Sequence, residues 1–221
     1  MSSLLSAFDV KEDIIDFSIG APGPKLLEKA RILISSANKT FDQLATAGRK
    51  DFQQIFQYGP NCGSPVFINA LASFLSSEYQ DFVCPESLIL TAGATQGLHL
   101  IASTQLDKKN GVVFVENPTY FLALDILSKD LGFKIEPMHS ADVDNLEALI
   151  LKHKPANSDV DIEGNQKFWG MVYIIPTFHN PTGTCMKQTE VNNLMNLAEK
   201  HGLLIVCDDV YNLLHYHDQG I

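Results

Sequence analysis

The sequence predicts an α/β protein built as a three-layer, doubly wound and mostly parallel sheet. Short apolar runs recur between Leu88 and Cys207, and each is followed by a turn rich in polar residues, glycine or proline. Amphipathic helical patterns fill the intervals between these runs. Continuous apolar strands that alternate with such helices indicate a parallel sheet covered on both faces.

Composition sets the broad class. Of the 221 residues, 45% are hydrophobic and 19% are charged, which suits a globular protein with a sizeable core. The net charge of -10, without a Lys or Arg cluster, argues against nucleic acid as a partner. No apolar run is long enough to span a membrane and no targeting pattern opens the chain, so we expect a cytoplasmic protein without membrane contact.

The four cysteines are far apart and have no nearby paired histidines, so no metal site is predicted and the thiols are expected to be reduced. Cys207 ends an apolar run, and we expect it to be a small core residue.

In the N-terminal part we predict an arm (1–13), a short strand (14–19), a helix from Pro24 to about Asn38 and a mostly irregular segment (40–63). Ser64 and Pro65 predict the start of a further helix, because they provide an N-cap and a proline at the first helical position. Its predicted apolar face consists of Phe67, Ala70, Leu71, Phe74 and Leu75.

Five strands are predicted in the remaining chain: Leu88–Thr91, Val112–Val115, Phe133–Pro137, Met171–Ile175 and Leu203–Cys207. Gly132 and Gly202 are predicted to end helices, and Asp144 with Glu147 resembles a capping box. Residues 155–167 are polar and acidic, as in a surface loop. The last helix has a predicted buried stripe of Val191, Leu194, Met195 and Ala198.

Four strand ends carry turns suited to ligand binding, since ligands of parallel sheets bind outside the carboxyl ends of the strands. These turns are Gly93-Ala94-Thr95, Asn117-Pro118-Thr119-Tyr120, the run from Thr177 to Gly183, and Asp208-x-x-Tyr211.

Each turn has a chemical interpretation. The Gly93 turn opens a helix whose free N–H groups suit a phosphate, and Tyr120 offers a flat face to an aromatic ring. Asn180 can donate to a ring oxygen, and Asp208 can hold a protonated ring nitrogen. Structural roles remain open for each turn: close packing for Gly93, core burial for Tyr120, a simple turn for 177–183 and a helix cap for Asp208.

Together these motifs resemble the pyridoxal-5′-phosphate-dependent aminotransferases of fold type I, class I and II. Asn-Pro-Thr-Gly at 180–183, followed by Asp-x-x-Tyr at 208–211, is a specific pair of motifs. Residues 91–97 and 178–183 look most like the 2-aminoadipate and kynurenine aminotransferase branch. The resemblance extends from Gly20 to Tyr211. It implies an N-terminal arm and small-domain segment over 1–50 and an incomplete cofactor-binding large domain over 51–221.

The resemblance also implies site roles and a homodimer. The backbone of Ala94 and Thr95 would hold the cofactor phosphate, and Tyr120 would stack on the cofactor ring. The ring hydroxyl would be bound by Asn180 and Tyr211, and the ring nitrogen would pair with Asp208. Tyr58 would reach the phosphate of the neighbouring subunit, and the substrate would be contacted by Gly20 and Asn180. The Asn180–Pro181 bond is expected to be cis.

The implied reaction moves an amino group between an amino acid and a 2-oxo acid. Relatives are nearly twice as long and carry the Schiff-base lysine and a carboxylate-binding arginine downstream of the Asp-x-x-Tyr motif, so no catalytic residue is assigned among these 221. In the family, two further strands lie between the strand at Leu88–Thr91 and the one that ends at Asp208. We therefore expect the 221-residue chain alone to be poorly soluble or partly folded and to lack transaminase activity.

Three alternatives remain open: an aminotransferase-like ligand-sensing module, a non-catalytic cofactor-binding protein, and another fold type I enzyme such as a carbon–sulfur lyase. The substrate amino acid is not readable from the residues present.

Overall fold

The computed structural model describes residues 23–48, 57–139, 143–156 and 168–214. The chain divides into two compact units, Met1–Asn69 and Ala70–Ile221. The predicted arm and the strand at 14–19 lie outside the described residues, as does most of the predicted loop at 155–167. The domain boundary after residue 50 stays a prediction.

The first described helix, α1, spans Pro24–Thr46 and begins with its proline in the first turn, as predicted. It is longer than expected, so the prediction of an irregular segment from residue 40 is wrong up to Thr46. Two threonines are accommodated in this extension because the hydroxyl of each donates to a carbonyl four residues earlier: Thr40 to Ser36 and Thr46 to Asp42.

Helix α2 spans Pro65–Tyr79 and begins where Ser64 and Pro65 predict. Its buried side chains are Ile68 and Ala72, whereas Phe67 and Phe74 of the predicted apolar face are about half exposed, at 53% and 51%. The periodicity therefore identified an apolar helix but not the side that is covered.

The second unit contains a four-stranded sheet whose strands are all parallel, in the order β2-β1-β3-β4. The strands are β1 (Val112–Glu116), β2 (Lys134–Met138), β3 (Gly170–Ile174) and β4 (Leu204–Cys207). In the register of the sheet, Val113 of β1 lies between Ile135 of β2 and Met171 of β3. The predicted parallel α/β sheet is confirmed.

The predicted strand at Leu88–Thr91 is wrong, because this segment joins no ladder in the part of the chain that the structure describes. A strand needs a neighbour for its backbone N–H and C=O groups. The resemblance places two strands between this segment and β4, and neither is among the described elements. Ile89 is accordingly 59% exposed.

Helices cover both faces of the sheet. They are α3 (Ala94–Gln105), α4 (Phe121–Leu124, continued as a π-helix over Asp125–Asp130), α5 (Val143–His153) and α6 (Gln188–His201). Leu98 of α3 and Leu127 of α4 share one core with Val113 of the sheet. Ile150 of α5 and Leu194 of α6 share the other. This alternation makes the three layers that the sequence predicts.

Gly132 and Gly202 end α4 and α6 in the left-handed region, at φ +73° and +67°, as predicted. The capping box is wrong, because Asp144 lies inside α5 and the Glu147 carboxylate instead pairs with Lys200 and His201 at 2.8 Å each.

Two burial predictions are also wrong. Met195 is 57% exposed, and the buried residues of α6 are Leu194, Leu197, Ala198 and His201. Cys207 is exposed because β4 lies at the sheet edge, where no further described strand covers it. Local periodicity does not reveal which strand forms an edge.

Candidate functional site

Three polar turns meet at the carboxyl edge of the sheet. Residues 117–120 follow β1, residues 175–183 follow β3, and residues 208–211 follow β4. Because the strands are parallel, these turns share one edge, as predicted. The Gly93 turn differs from the prediction, since the segment before it is not a strand.

Asp208 is held at this edge by two hydrogen bonds. Its backbone N–H donates to the carbonyl of Ile174 over 2.8 Å. Its Oδ2 atom accepts a hydrogen bond of 2.7 Å from the hydroxyl of Tyr173, whose side chain is buried in β3. The described residues after Asp208 form a turn rather than a helix, so the helix-cap alternative does not apply.

Tyr173 is a buried phenol in an otherwise apolar strand. Burial, reinforced by the hydrogen bond and the negative charge of Asp208, raises its pKa. The hydroxyl therefore stays protonated and donates to the carboxylate. A polar residue at an inward-facing strand position was the available sequence signal, but its partner lies 35 residues later.

Hydrogen bonds of His179, the residue before Asn180, close the loop that carries Asn180. The N–H of His179 donates to the carbonyl of Thr184 over 2.8 Å, and the carbonyl of His179 accepts from the N–H of Gly183 over 2.6 Å. Nδ1 of its imidazole lies 2.8 Å from the hydroxyl of Thr182. Asn180 is half-buried on this loop, and its bond to Pro181 is cis, as predicted.

Glu116, at the end of β1, connects to the same loop. Its Oε2 atom accepts a hydrogen bond of 3.0 Å from the N–H of Ile175. The same atom lies 3.2 Å from Nε2 of His179, whose side chain is only 5% exposed. That ring nitrogen is not aligned for a hydrogen bond, so the contact is an ion pair when the imidazole is protonated. Glu116 was not among the predicted site residues, although a carboxylate directly after four buried apolar residues was a signal.

Gly93 and the start of α3 make up the turn that is predicted to bind an anion. Gly93 has φ +86° and ψ 167°, a conformation that side chains strongly disfavour. The Gln96 side chain accepts a hydrogen bond of 2.6 Å from the N–H of Ala92. The first N–H groups of an α-helix have no acceptor within the helix, and Ala94 and Thr95 are exposed at that position. The turn can therefore receive a phosphate.

Tyr120 and Tyr211 are both half-buried against the core that contains Tyr173 and Leu98. The ring of Tyr120 makes an edge contact with Phe121, with centroids 5.5 Å apart. In the same turn, the hydroxyl oxygen of Thr119 is buried and has no hydrogen-bond partner in the described part of the chain. The turn after β1 thus presents an aromatic ring and one unused polar atom.

Two predicted site residues stay predictions, because neither is among the described residues of the second unit. Tyr58 belongs to the first unit, and its side chain is fully exposed. Gly20 lies outside the described residues. Across the described ranges, no group of three His, Cys, Asp or Glu side chains is placed to hold a metal ion. None of the described helices combines the length and apolarity needed to cross a membrane.

The comparison with known proteins identifies the relatives of this chain. The family profile of aminotransferase class I and II matches residues 12–220. An uncharacterized aminotransferase of Saccharolobus solfataricus is 27% identical over 95% of this chain and 48% of its own length. The 2-aminoadipate transaminase of Thermus thermophilus is 25% identical over 92% of this chain and 45% of its own length.

The fold comparison agrees with this assignment. The crystal structure of an archaeal alanine:glyoxylate aminotransferase superposes with a TM-score of 0.72 and 28% identity. The match covers 100% of this chain and 51% of that one. The chain thus spans about half the length of the relatives it matches.

Proposed function

This chain belongs to the aminotransferase class I and II family, whose members use pyridoxal 5′-phosphate, and we propose that it forms the cofactor-binding part of such an enzyme. The proposed reaction moves an amino group between an amino acid and a 2-oxo acid. The observation that carries the proposal is the position of Asp208, which is held by Tyr173 at the sheet edge that also carries the Asn180 loop.

The candidate residues fit the cofactor chemically. A carboxylate with one oxygen already bound, as in Asp208, suits the protonated ring nitrogen. The N-terminus of α3, at Ala94 and Thr95, suits the phosphate. Tyr120 would face the ring, and the Asn180 amide with the Tyr211 hydroxyl would bind the ring hydroxyl.

When bound, the cofactor supplies an electron-withdrawing ring that stabilises negative charge at the α-carbon of the substrate. The role of Asp208 is to keep the proton on the ring nitrogen, because a carboxylate favours the cationic form of its partner. Glu116 and His179 support the loop that carries Asn180, and they keep this amide at the edge where the ring hydroxyl would lie. The 221 residues contain no assigned proton-transferring lysine.

The remaining features of the site also belong to the proposal. Tyr58 is fully exposed, which suits a contact with the phosphate bound by a second subunit of a homodimer. Gly20 and Asn180 would lie beside the substrate. We place the protein in the cytoplasm.

The test is equilibrium binding of pyridoxamine 5′-phosphate to a full-length form of the protein that contains these 221 residues. This form of the cofactor lacks the aldehyde that would react with surface lysines. We expect saturable binding that Asn180→Ala weakens about tenfold, the size of a lost hydrogen bond in a desolvated site. Asn196→Ala, at an exposed position of α6, is the matched control and should bind like the wild type. Absence of saturable binding by the wild type contradicts the proposal.

A further inference from the structure

Tyr173 is a polar residue in a position where the fold calls for an apolar one. It lies in β3, whose five residues are all buried, and it faces the core that contains Met171 and Ile175. Phenylalanine would fill the same space without burying a hydroxyl that needs a partner. The hydroxyl of Tyr173 is therefore not required for packing. Its role lies in the hydrogen bond that it makes.

That contact is with Asp208, at 2.7 Å between the hydroxyl and Oδ2. The main chain of Asp208 is tied to the same strand by the hydrogen bond from its N–H to Ile174 O. The residue is thus held at both its backbone and its carboxylate. These two hydrogen bonds restrict rotation of the Asp208 side chain. The carboxylate lone pairs that Tyr173 does not use therefore keep a constant direction.

The direction of this hydrogen bond is also fixed, with the phenol as the donor and the carboxylate as the acceptor. The pKa of the phenol is raised by burial and by Asp208, so the tyrosine remains a donor over the whole physiological range. Oδ2 of Asp208 therefore keeps its donor, and the carboxylate lone pairs that remain are available to accept from a protonated ring nitrogen.

We propose that Tyr173 is the positioning residue of the site: it orients the carboxylate of Asp208 toward the ring nitrogen of the cofactor. The inference rests on the proposed function, because it assumes that the cofactor binds at this edge. It assigns a task to a residue that does not itself touch the ligand.

The experiment compares two ligands on each variant of the full-length form. One is pyridoxamine 5′-phosphate, and the other is its 1-deaza analogue, in which a carbon replaces the ring nitrogen. The ratio of their two dissociation constants measures the contribution of the ring nitrogen alone. A partial loss of folded protein changes both constants by the same factor and cancels in the ratio.

The wild-type chain should prefer the nitrogen-containing ligand, and Tyr173→Phe should lower this preference about tenfold while affinity for the deaza analogue is kept. Asp208→Asn should abolish the preference, and adding Tyr173→Phe to it should change the ratio no further, because both act through one contact. Tyr79→Phe, a substitution of an exposed tyrosine, is the matched control.

The outcomes separate the two proposals. A wild-type preference that Tyr173→Phe leaves unchanged or increases contradicts the positioning role alone. A Tyr173→Phe effect that persists in the Asp208→Asn background also contradicts it, because the tyrosine would then act by another route. If the wild-type chain binds neither ligand, the proposed function fails and the inference fails with it.

Discussion

The imidazole of His179 lies against the carboxylate of Glu116, with Nε2 3.2 Å from Oε2. Glu116 ends β1, whereas His179 belongs to the loop after β3, so the contact links the ends of two adjacent strands. The same carboxylate oxygen also receives the N–H of Ile175. Both side chains are largely buried, which makes the link sensitive to the loss of either partner.

We expect His179→Ala to lower the free energy of unfolding by about 2–3 kcal/mol, because it leaves the Glu116 carboxylate buried without its imidazole and opens a cavity beneath the loop. The change is measured by urea unfolding of the full-length form, with circular dichroism as the probe of folded structure.

The control for this substitution is His99→Ala, at an exposed position of α3. Its effect should stay within about 0.5 kcal/mol, as for most surface substitutions. Equal destabilisation by the two variants would show that the His179 contact does not stabilise the loop.

A second prediction concerns alkaline pH. Burial and the contact with Asp208 raise the pKa of Tyr173 above the ordinary value of about 10. In the unfolded chain the phenol ionises near pH 10, whereas in the folded chain it stays protonated. The stabilisation from Tyr173 is therefore complete below about pH 10 and is lost as the pH rises above it.

This pH dependence is measured by urea unfolding of the wild type and Tyr173→Phe between about pH 8 and pH 11. The difference in stability between the two proteins should be constant at the lower pH values and shrink above about pH 10. Tyr79→Phe provides a matched exposed substitution. A difference that remains constant across the range would refute the assignment.

The two glycines around the start of α3 should respond oppositely to alanine. Gly93→Ala should lower stability by about 1–3 kcal/mol, because φ +86° with ψ 167° is a region that only glycine adopts readily. Gly97→Ala should raise stability by about 0.5–1 kcal/mol, since it is inside the helix and a Cβ would meet Thr91 Oγ1 at an ordinary 3.5 Å.

Phosphate affinity gives a second readout for this pair, measured by inhibition of pyridoxamine 5′-phosphate binding with inorganic phosphate. Gly93→Ala should weaken that inhibition because the turn can no longer present the first N–H groups of the helix. If Gly93→Ala left both stability and phosphate inhibition intact, the Gly93 turn would have no role in the site.

The fourth prediction concerns Asp208 and its neighbour Asp209. In a full-length enzyme, Asp208→Ala should leave some cofactor bound but reduce turnover by at least about a hundredfold, because nothing would then keep the ring nitrogen charged. Asp209→Ala alters an exposed carboxylate one residue away and should have little effect. Turnover that survives in the Asp208 variant would refute the role of Asp208.

Motifs in the sequence predicted part of the candidate site. Asn180 and Asp208 were predicted because each follows an apolar strand pattern, and the Gly93 turn was predicted because it precedes a helical pattern. The structure brings Asn180 and Asp208 to one sheet edge. Tyr173 and Glu116 were missed. Their partners are far away along the chain, 35 residues in the case of Tyr173 and Asp208, and no local pattern reports such a pairing.

Strand and helix periods, proline at the helix starts and glycine at the helix ends are local properties, and they sufficed to predict the parallel α/β sheet and most of its helices. Tertiary structure alone decided which elements are covered. It left Leu88–Thr91 without a ladder partner, exposed Cys207 at the sheet edge and placed a buried phenol under Asp208. The reason is physical: a segment's dihedral preferences are set by its own side chains, whereas burial and hydrogen-bond partners depend on which other segments lie beside it.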